Sequence, residues 1–282
     1  MGTPALMQLA RTRVREQISN GQSPIVVVSA FFGVTDKLAK FSLTELSAIK
    51  EQHCRVLREV GMNTRPALVV LDKLFGALEE DVRQAVATGL DNAKKARILS
   101  YGERISAELF ALFLQSVGMA ARAVDEETLG IVTNDDFLNA DIKVEASIEG
   151  VRRSLNDQNI VPVVTGFLGR TLRGQTTTLG RGGSDTTACF LGSAFFGASV
   201  LLWKDVDGVL TADPKLVAEA KTVPSLSYAE AEKCGKVFCS RAVQYLRRTN
   251  TTATVVSINH PERRTVIGPV VPSFAFAHAE SV

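Results

Sequence analysis

The chain has 282 residues, 45% of them hydrophobic and 22% charged, an ordinary globular composition. At ~150 residues per domain this length suits about two domains or one large α/β domain, with enough core to need no staple. Lys and Arg number 32 against 30 Asp and Glu, a net charge of +2, so no long basic face is implied and nucleic acid is not an expected partner. No window reaches the ~18 uninterrupted apolar residues of a membrane span, so no membrane association is expected. Charges enter the first residues before any apolar core forms, which argues against a secretory signal. The expected location is cytoplasmic, with an organelle transit peptide as the open alternative. Cys54, Cys189, Cys234 and Cys239 have no metal-ligand spacing and read as reduced, unpaired thiols.

Residues 5–20 carry Leu6, Leu9, Ala10 and Val14 on one helical face, and Gly21 to Pro24 break that helix. Residues 25–30 are continuous and β-branched, as in a buried parallel strand. A loop at 31–36 enters a helix. Residues 43–120 read as helices separated near 61–64, Gly89 and Gly102, followed by a strand at 119–125. An Asn- and Asp-rich loop at 133–141 precedes a helix at 142–156 and an apolar strand at 160–167. Residues 169–185 read as a long Gly/Thr/Arg loop opening a helix at 186–197. A strand at 200–203, turns at 204–214, helix over 228–250 and strands at 252–258 and 264–267 complete the pattern. Strands alternating with helices predict an α/β fold with a mostly parallel sheet covered on both faces. The polar loops follow strands, so ligands are expected at the strand carboxyl ends.

The segment TTTLGRGGSD, residues 176–185, carries the strongest chemistry. Adjacent glycines let the backbone approach an anion, and a following helix offers free N–H groups and a positive dipole end. Arg181 can hold a carboxylate or phosphate in a bidentate fork, and Asp185 either caps the helix or acts in the site. No Gly-Lys-Ser/Thr follows, so this is not a Walker A loop. WKDVDGVLTADP, residues 203–214, delivers Lys204, Asp205, Asp207 and Asp213 behind an apolar strand. Asp207-Gly208 and Asp213-Pro214 are also ordinary turn signals. His53, His260 and His278 read as solvated, Phe190, Phe195 and Phe196 as core, and the pairs Arg247-Arg248 and Arg263-Arg264 as solvated faces.

Together these two segments resemble aspartate kinase, a branch of the amino-acid kinase family. VVVSAFFGVTDKL, LSYGERISAELF, VPVVTGFLGR and VPSLSYAEAEKCGKVFCSRA fall in the same order as the family's pieces. The resemblance implies a three-layer α/β/α sandwich with residues 1–268 as one kinase domain and 269–282 as a short tail. It implies ATP-dependent phosphorylation of the β-carboxylate of L-aspartate to 4-phospho-L-aspartate, with Mg²⁺, on the route to lysine, threonine and methionine. Thr35, Glu103, Arg181, Gly182 and Gly183 fall on substrate positions, Arg181 suiting the α-carboxylate and Glu103 the α-ammonium. Asp185 and Arg181 fall on catalytic positions, and Lys204, Asp205, Leu210, Lys215 and Lys236 on or beside nucleotide positions. No protein metal site is implied.

The family's opening Lys-Phe-Gly-Gly-Thr-Ser strand has Met1-Gly2-Thr3-Pro4 in its place here, and Phe32 stands where a small residue is usual. The later Phe-Gly-Ala-Lys segment is altered to Cys234-Gly235-Lys236-Val237, and the family's regulatory ACT domains do not follow. These departures predict weak activity, association through an open sheet edge and no feedback inhibition. A homodimer or association with a regulatory or full-length homologue is the expected assembly. Two alternatives stand beside the aspartate reading: a catalytically impaired or truncated homologue acting as a partner subunit, and another small-carboxylate kinase of the same family.

Overall fold

The structure, a computed structural model, describes residues 2–62, 64–212, 217, 219–234 and 238–269. It divides into two compact units, Met1–Ser184 and Asp185–Val282.

The first unit begins with α1 (Pro4–Ser19), whose N-cap Thr3 accepts the Leu6 N–H. It continues with β1 (Val26–Val28), α2 (Val34–Leu38), α3 (Leu43–Glu59), α4 (Arg65–Thr88), α5 (Asn92–Ser116), β2 (Ala121–Val124), α6 (Glu126–Leu129), α7 (Val144–Ser154), β3 (Val161–Thr165), β4 (Leu168–Arg170) and β5 (Thr176–Thr178). The strands β1, β3 and β2 form a parallel sheet in that order, with Val28 beside Thr165 and Ala123 beside Val163. The central strand β3 is buried at every position, which explains why its sequence does not alternate. Met7, Ile49, Leu71, Ile105, Phe110 and Val163 belong to one continuous core.

Three expectations are corrected here. Gly102 does not separate helices; it lies inside α5, where a Cβ would stand 2.7 Å from the Ala30 Cβ. The glycine is a contact surface, and the cost of glycine in a helix is offset by close packing against the chain that leaves β1. Residues 169–185 are not one loop, because β4 and β5 pair antiparallel, with Leu168 beside Thr178 and Arg170 beside Thr176. His53 is not solvated. It is fully buried on α3, stacked on Phe31 at 4.5 Å and edge-on to Phe75 at 6.0 Å.

The helix α8 (Gly183–Ala194) leads into the second unit. There β6 (Ser199–Lys204), β7 (Ser225–Ser227), α9 (Tyr228–Ala231), α10 (Ser240–Thr249), β8 (Thr252–Ser257) and β9 (Arg264–Gly268) follow. The strand order is β6-β8-β9-β7, parallel except between β8 and β9. Val200, Leu226, Val243, Leu246 and Val255 form this unit's own core. The helix expected over 228–250 is two helices, the first fixed by a reciprocal Ser227–Glu230 capping box. Phe196 is not core: it is fully exposed, at 107% of the reference area. His260 is exposed beside Glu262, and His278 lies outside the described residues.

Two predictions follow from the first unit. Burial lowers the His53 pKa from 6.5 to about 4, against the opposing hydrogen bond to the Ile49 carbonyl and with help from the nearby Lys37 charge. The folded chain therefore resists protonation that the unfolded chain accepts. The stability is present above pH 6.5 and declines as pH falls toward 4, by about 3 kcal/mol from this group. The melting temperature of His53→Leu is expected to vary less than the parent's across that window; parallel curves would assign the acid sensitivity to other groups. Second, Gly102→Ala gains about 1 kcal/mol of helix propensity but overpacks the Ala30 contact, so a net loss of about 1–2 kcal/mol is expected in urea denaturation.

Candidate active site

Glu103 is placed by α5, one residue beyond the Gly102 contact. Its Oε1 accepts the Ala30 N–H at 3.0 Å, and the carboxyl is only 3% exposed. The second oxygen, Oε2, is buried without a hydrogen-bond partner. Burial pushes the carboxyl up to about 8; the Ala30 N–H and its own backbone N–H pull it down, and the negative charge of Glu126 pushes it further up. Such a group favours either a proton or a bound cation. Ser106 Oγ and Thr165 Oγ1 are also buried without partners, on the same helix and at the end of β3.

The loop after β1 is held by α3. Gln52 Nε2 donates to the Phe32 carbonyl at 3.0 Å, and Gln52 Oε1 accepts from Lys37 Nζ at 3.1 Å. Phe32 itself is 90% exposed, with Phe31 turned into the core. Gly33, left-handed at φ 74, opens α2, and Thr35 follows as the helix's second residue.

The glycine segment lies where the parallel strands end. A Cβ on Gly166 would stand 2.8 Å from both the Val28 carbonyl oxygen and Ser184 Cβ, and one on Gly183 would stand 2.6 Å from Phe167. Gly180 and Gly182 are both left-handed, at φ 71. Arg181 between them is exposed. The threonines that precede it are structural. Thr176 donates to Glu126 at 2.9 Å, Thr177 bonds Thr133 at 2.8 Å, and Thr178 donates to the Leu138 carbonyl at 3.0 Å.

In the second unit Lys204, at the end of β6, brings its Nζ to 2.8 and 2.6 Å from the two Asp185 oxygens. Asp185 lies within the first turn of α8, because that helix starts at Gly183. It holds a lysine and does not serve as the cap considered from sequence. Asp205 is exposed. Asp207 accepts from Ser257 at 2.9 Å and from Arg263, so it closes the turn behind β6. Arg263 is therefore an ion-pair partner and more than a solvated charge, and Arg247 likewise pairs with Glu232 at 2.8 Å. Leu210 is half-buried and bridges Thr222. Lys215 and Lys236 lie outside the described residues. Among the described residues no group of three His, Cys, Asp or Glu side chains could hold a metal ion. Burial pushes the Cys189 thiol well above its usual range, which makes it inert.

Sequence reasoning missed the Lys204–Asp185 pairing, the Gln52 brace and the partners of Glu126. The signals were small: an amide on a helix facing the loop, and one acid in the run Asp125-Glu126-Glu127.

Residues 4–257 match the family model described as the amino acid kinase family. Aspartokinase 3, chloroplastic, of Arabidopsis thaliana is 40% identical over 230 residues, covering 74% of this chain and 40% of that protein. Aspartokinase 1 of Bacillus subtilis (strain 168) is 33% identical over 250 residues, covering 86% of this chain and 60% of that protein. The chain thus spans about half the length of these curated relatives. The crystal structure of E. coli aspartokinase III in complex with aspartate and ADP superimposes with a TM-score of 0.84 at 24% identity, over 96% of this chain and 63% of that one. That likeness gives the fold as an α/β sandwich, and no described helix is long and apolar enough to cross a membrane. With a family model matched across residues 4–257, the chain belongs to the amino acid kinase family.

Proposed function

We propose that the chain phosphorylates the side-chain carboxylate of L-aspartate with Mg-ATP. A β-carboxylate oxygen attacks the γ-phosphorus, the bond to the β,γ-bridging oxygen breaks, and ADP leaves with 4-phospho-L-aspartate as the product. Phosphoryl transfer of this kind asks for positioning and charge neutralisation more than for a covalent nucleophile. The observation that carries the reading is Glu103: a deeply buried carboxyl with one oxygen satisfied and the other without a partner. It suits an ammonium group, the cation of an α-amino acid. Arg181, exposed between left-handed glycines, suits the α-carboxylate. Thr35, Gly182 and Gly183 complete the amino-acid end.

Lys204, held by Asp185, supplies fixed positive charge for phosphate oxygens, and Asp205 and Leu210 belong to the nucleotide end, with Lys215 and Lys236. Magnesium enters as part of the nucleotide, since it keeps waters and phosphate ligands and needs no cage of protein donors. The identity to Arabidopsis and Bacillus aspartokinases supports aspartate over other small carboxylates. The reaction opens the synthesis of the aspartate-derived amino acids. We assign one kinase domain to residues 1–268, a cytoplasmic or organellar location and a homo-oligomer or mixed assembly with a longer homologue. Incubation with Mg-ATP, aspartate and hydroxylamine should yield aspartyl hydroxamate. No hydroxamate, with aspartate binding intact, would favour the impaired partner subunit.

Two predictions test the roles. Glu103 must be ionised to hold an ammonium, and its pKa is raised from 4.5 to about 8. The apparent KM for aspartate should fall up to ~10-fold per unit as pH rises toward 8, then level off. The raised pKa also means that the carboxyl's contribution to stability is present below pH 4.5 and is lost as pH rises through 8. Glu103→Gln should therefore bind aspartate weakly with no such pH dependence, yet melt higher than the parent at pH 8.5. The second concerns Lys204→Met. It removes one preorganised charge and leaves Asp185 unpaired, so kcat is expected to drop by ~10²–10³ with the KM for aspartate little changed. A full kcat would take Lys204 out of the phosphate site.

A further inference from the structure

Consecutive residues of α5 face different partners. Glu103 takes the Ala30 N–H, while Arg104 takes Glu126 of α6. Arg104 Nε donates to Glu126 Oε2 at 3.2 Å, and Arg104 Nη2 donates to Oε1, a two-bond fork. The same Oε1 accepts the Thr176 hydroxyl at 2.9 Å, and Nη2 reaches that hydroxyl at 3.4 Å. Glu126 is 1% exposed. The guanidinium lies 5.5 Å from the centre of the Tyr101 ring, whose hydroxyl donates to Asp81 at 2.6 Å. Three elements, α5, α6 and β5, thus meet on one buried carboxylate.

A buried ion pair is weak evidence for stability, because apolar packing of the same volume often does as well or better. What this pair supplies is direction. Thr176 opens β5, and Leu179, Gly180 and Arg181 follow that strand directly. We propose that Arg104, Glu126 and Thr176 are positioning residues that hold Glu103 in fixed register with the strand delivering Arg181. The two ends of an α-amino acid would then meet a preset spacing. The proposal rests on the aspartate reading above.

The charges around Glu103 make the role measurable. Glu126 is the charged side chain that acts on Glu103, and it raises that group's affinity for a proton. On α2, Asp36 is exposed and Lys37 is bonded to Gln52; Ala30 and Thr165, from the sheet side, are uncharged.

The test uses the full chain and aspartate binding by calorimetry across pH, with KM values for aspartate and Mg-ATP. Arg104→Lys loses the fork, and Thr176→Val removes only the link to β5. The KM for aspartate is expected to rise about tenfold and severalfold respectively, with the KM for Mg-ATP within about twofold of the parent. Glu126→Gln should move the midpoint of the aspartate pH profile downward, a shift that loosened packing alone would not produce. If Arg104→Lys does not fold, Thr176→Val and Glu126→Gln decide. Unchanged aspartate KM and midpoint in folded variants would overturn the proposal and leave the aspartate reading intact. Equal rises in both KM values would also overturn it. A parent chain that fails to bind aspartate would remove both.

Discussion

The first unit depends on a backbone approach that only glycine permits. Gly102 lets α5 close on Ala30, and that approach places the next side chain, Glu103, on the Ala30 N–H. A methyl group at position 102 would have to share space already filled by the Ala30 Cβ. The same economy recurs at the end of β3, where Gly166 admits the Val28 carbonyl and Ser184. Both contacts occur just past strand ends, where a parallel sheet leaves polar backbone to be used. Close packing of a mid-helix glycine and of a loop glycine against those ends therefore sets the arrangement around Glu103.

Glu103 also shows where stability is given up. An isolated buried carboxylate is costly, and its raised pKa expresses that cost. Other acids of the first unit have partners: Glu126 has Arg104 and Thr176, and Asp81 has Arg97 and Tyr101. Glu103 Oε2, like Ser106 Oγ and Thr165 Oγ1, is buried without a partner, and a buried carboxyl oxygen left so suits a polar ligand. His53 makes the contrast. Its Nε2 also lacks a partner, but the ring is stacked on Phe31 inside an apolar core, where a neutral imidazole serves as a flat packing surface.

Much of the fold was legible because its strands are short apolar runs bounded by turn residues. Residues 25–30, 160–167 and 252–258 were all recognisable from β-branched composition. The failures share a physical cause. Gly102 is a helix breaker by propensity, and only a tertiary contact makes it a helix residue. Thr176 to Thr178 look like loop residues, yet cross-strand pairing with 168–170 makes them a strand. His53 carries no local mark of burial, since the ring that covers it, Phe31, lies on a different element. Among the candidate site residues, Arg181, Glu103 and Asp185 were legible as motif residues. The Lys204–Asp185 distance was not, because it links side chains 19 positions apart.

Glu103 and Asp185 have different surroundings, and on the proposed aspartate reading those surroundings suit different roles. Asp185 has its cation already: Lys204 sits within hydrogen-bond distance of both its oxygens. A carboxylate so occupied has little left with which to bind an ammonium group, but it fixes the lysine's direction, which is what an incoming phosphate requires. Glu103 is deeply buried, and its Oε2 has no hydrogen-bond partner. On the aspartate reading, the substrate's ammonium group supplies that partner. On the aspartate reading, the acid without a partner serves the amino acid and the paired acid serves the phosphate. An exchange of roles would fail on both counts, since Asp185 lacks the vacancy and Glu103 lacks the lysine.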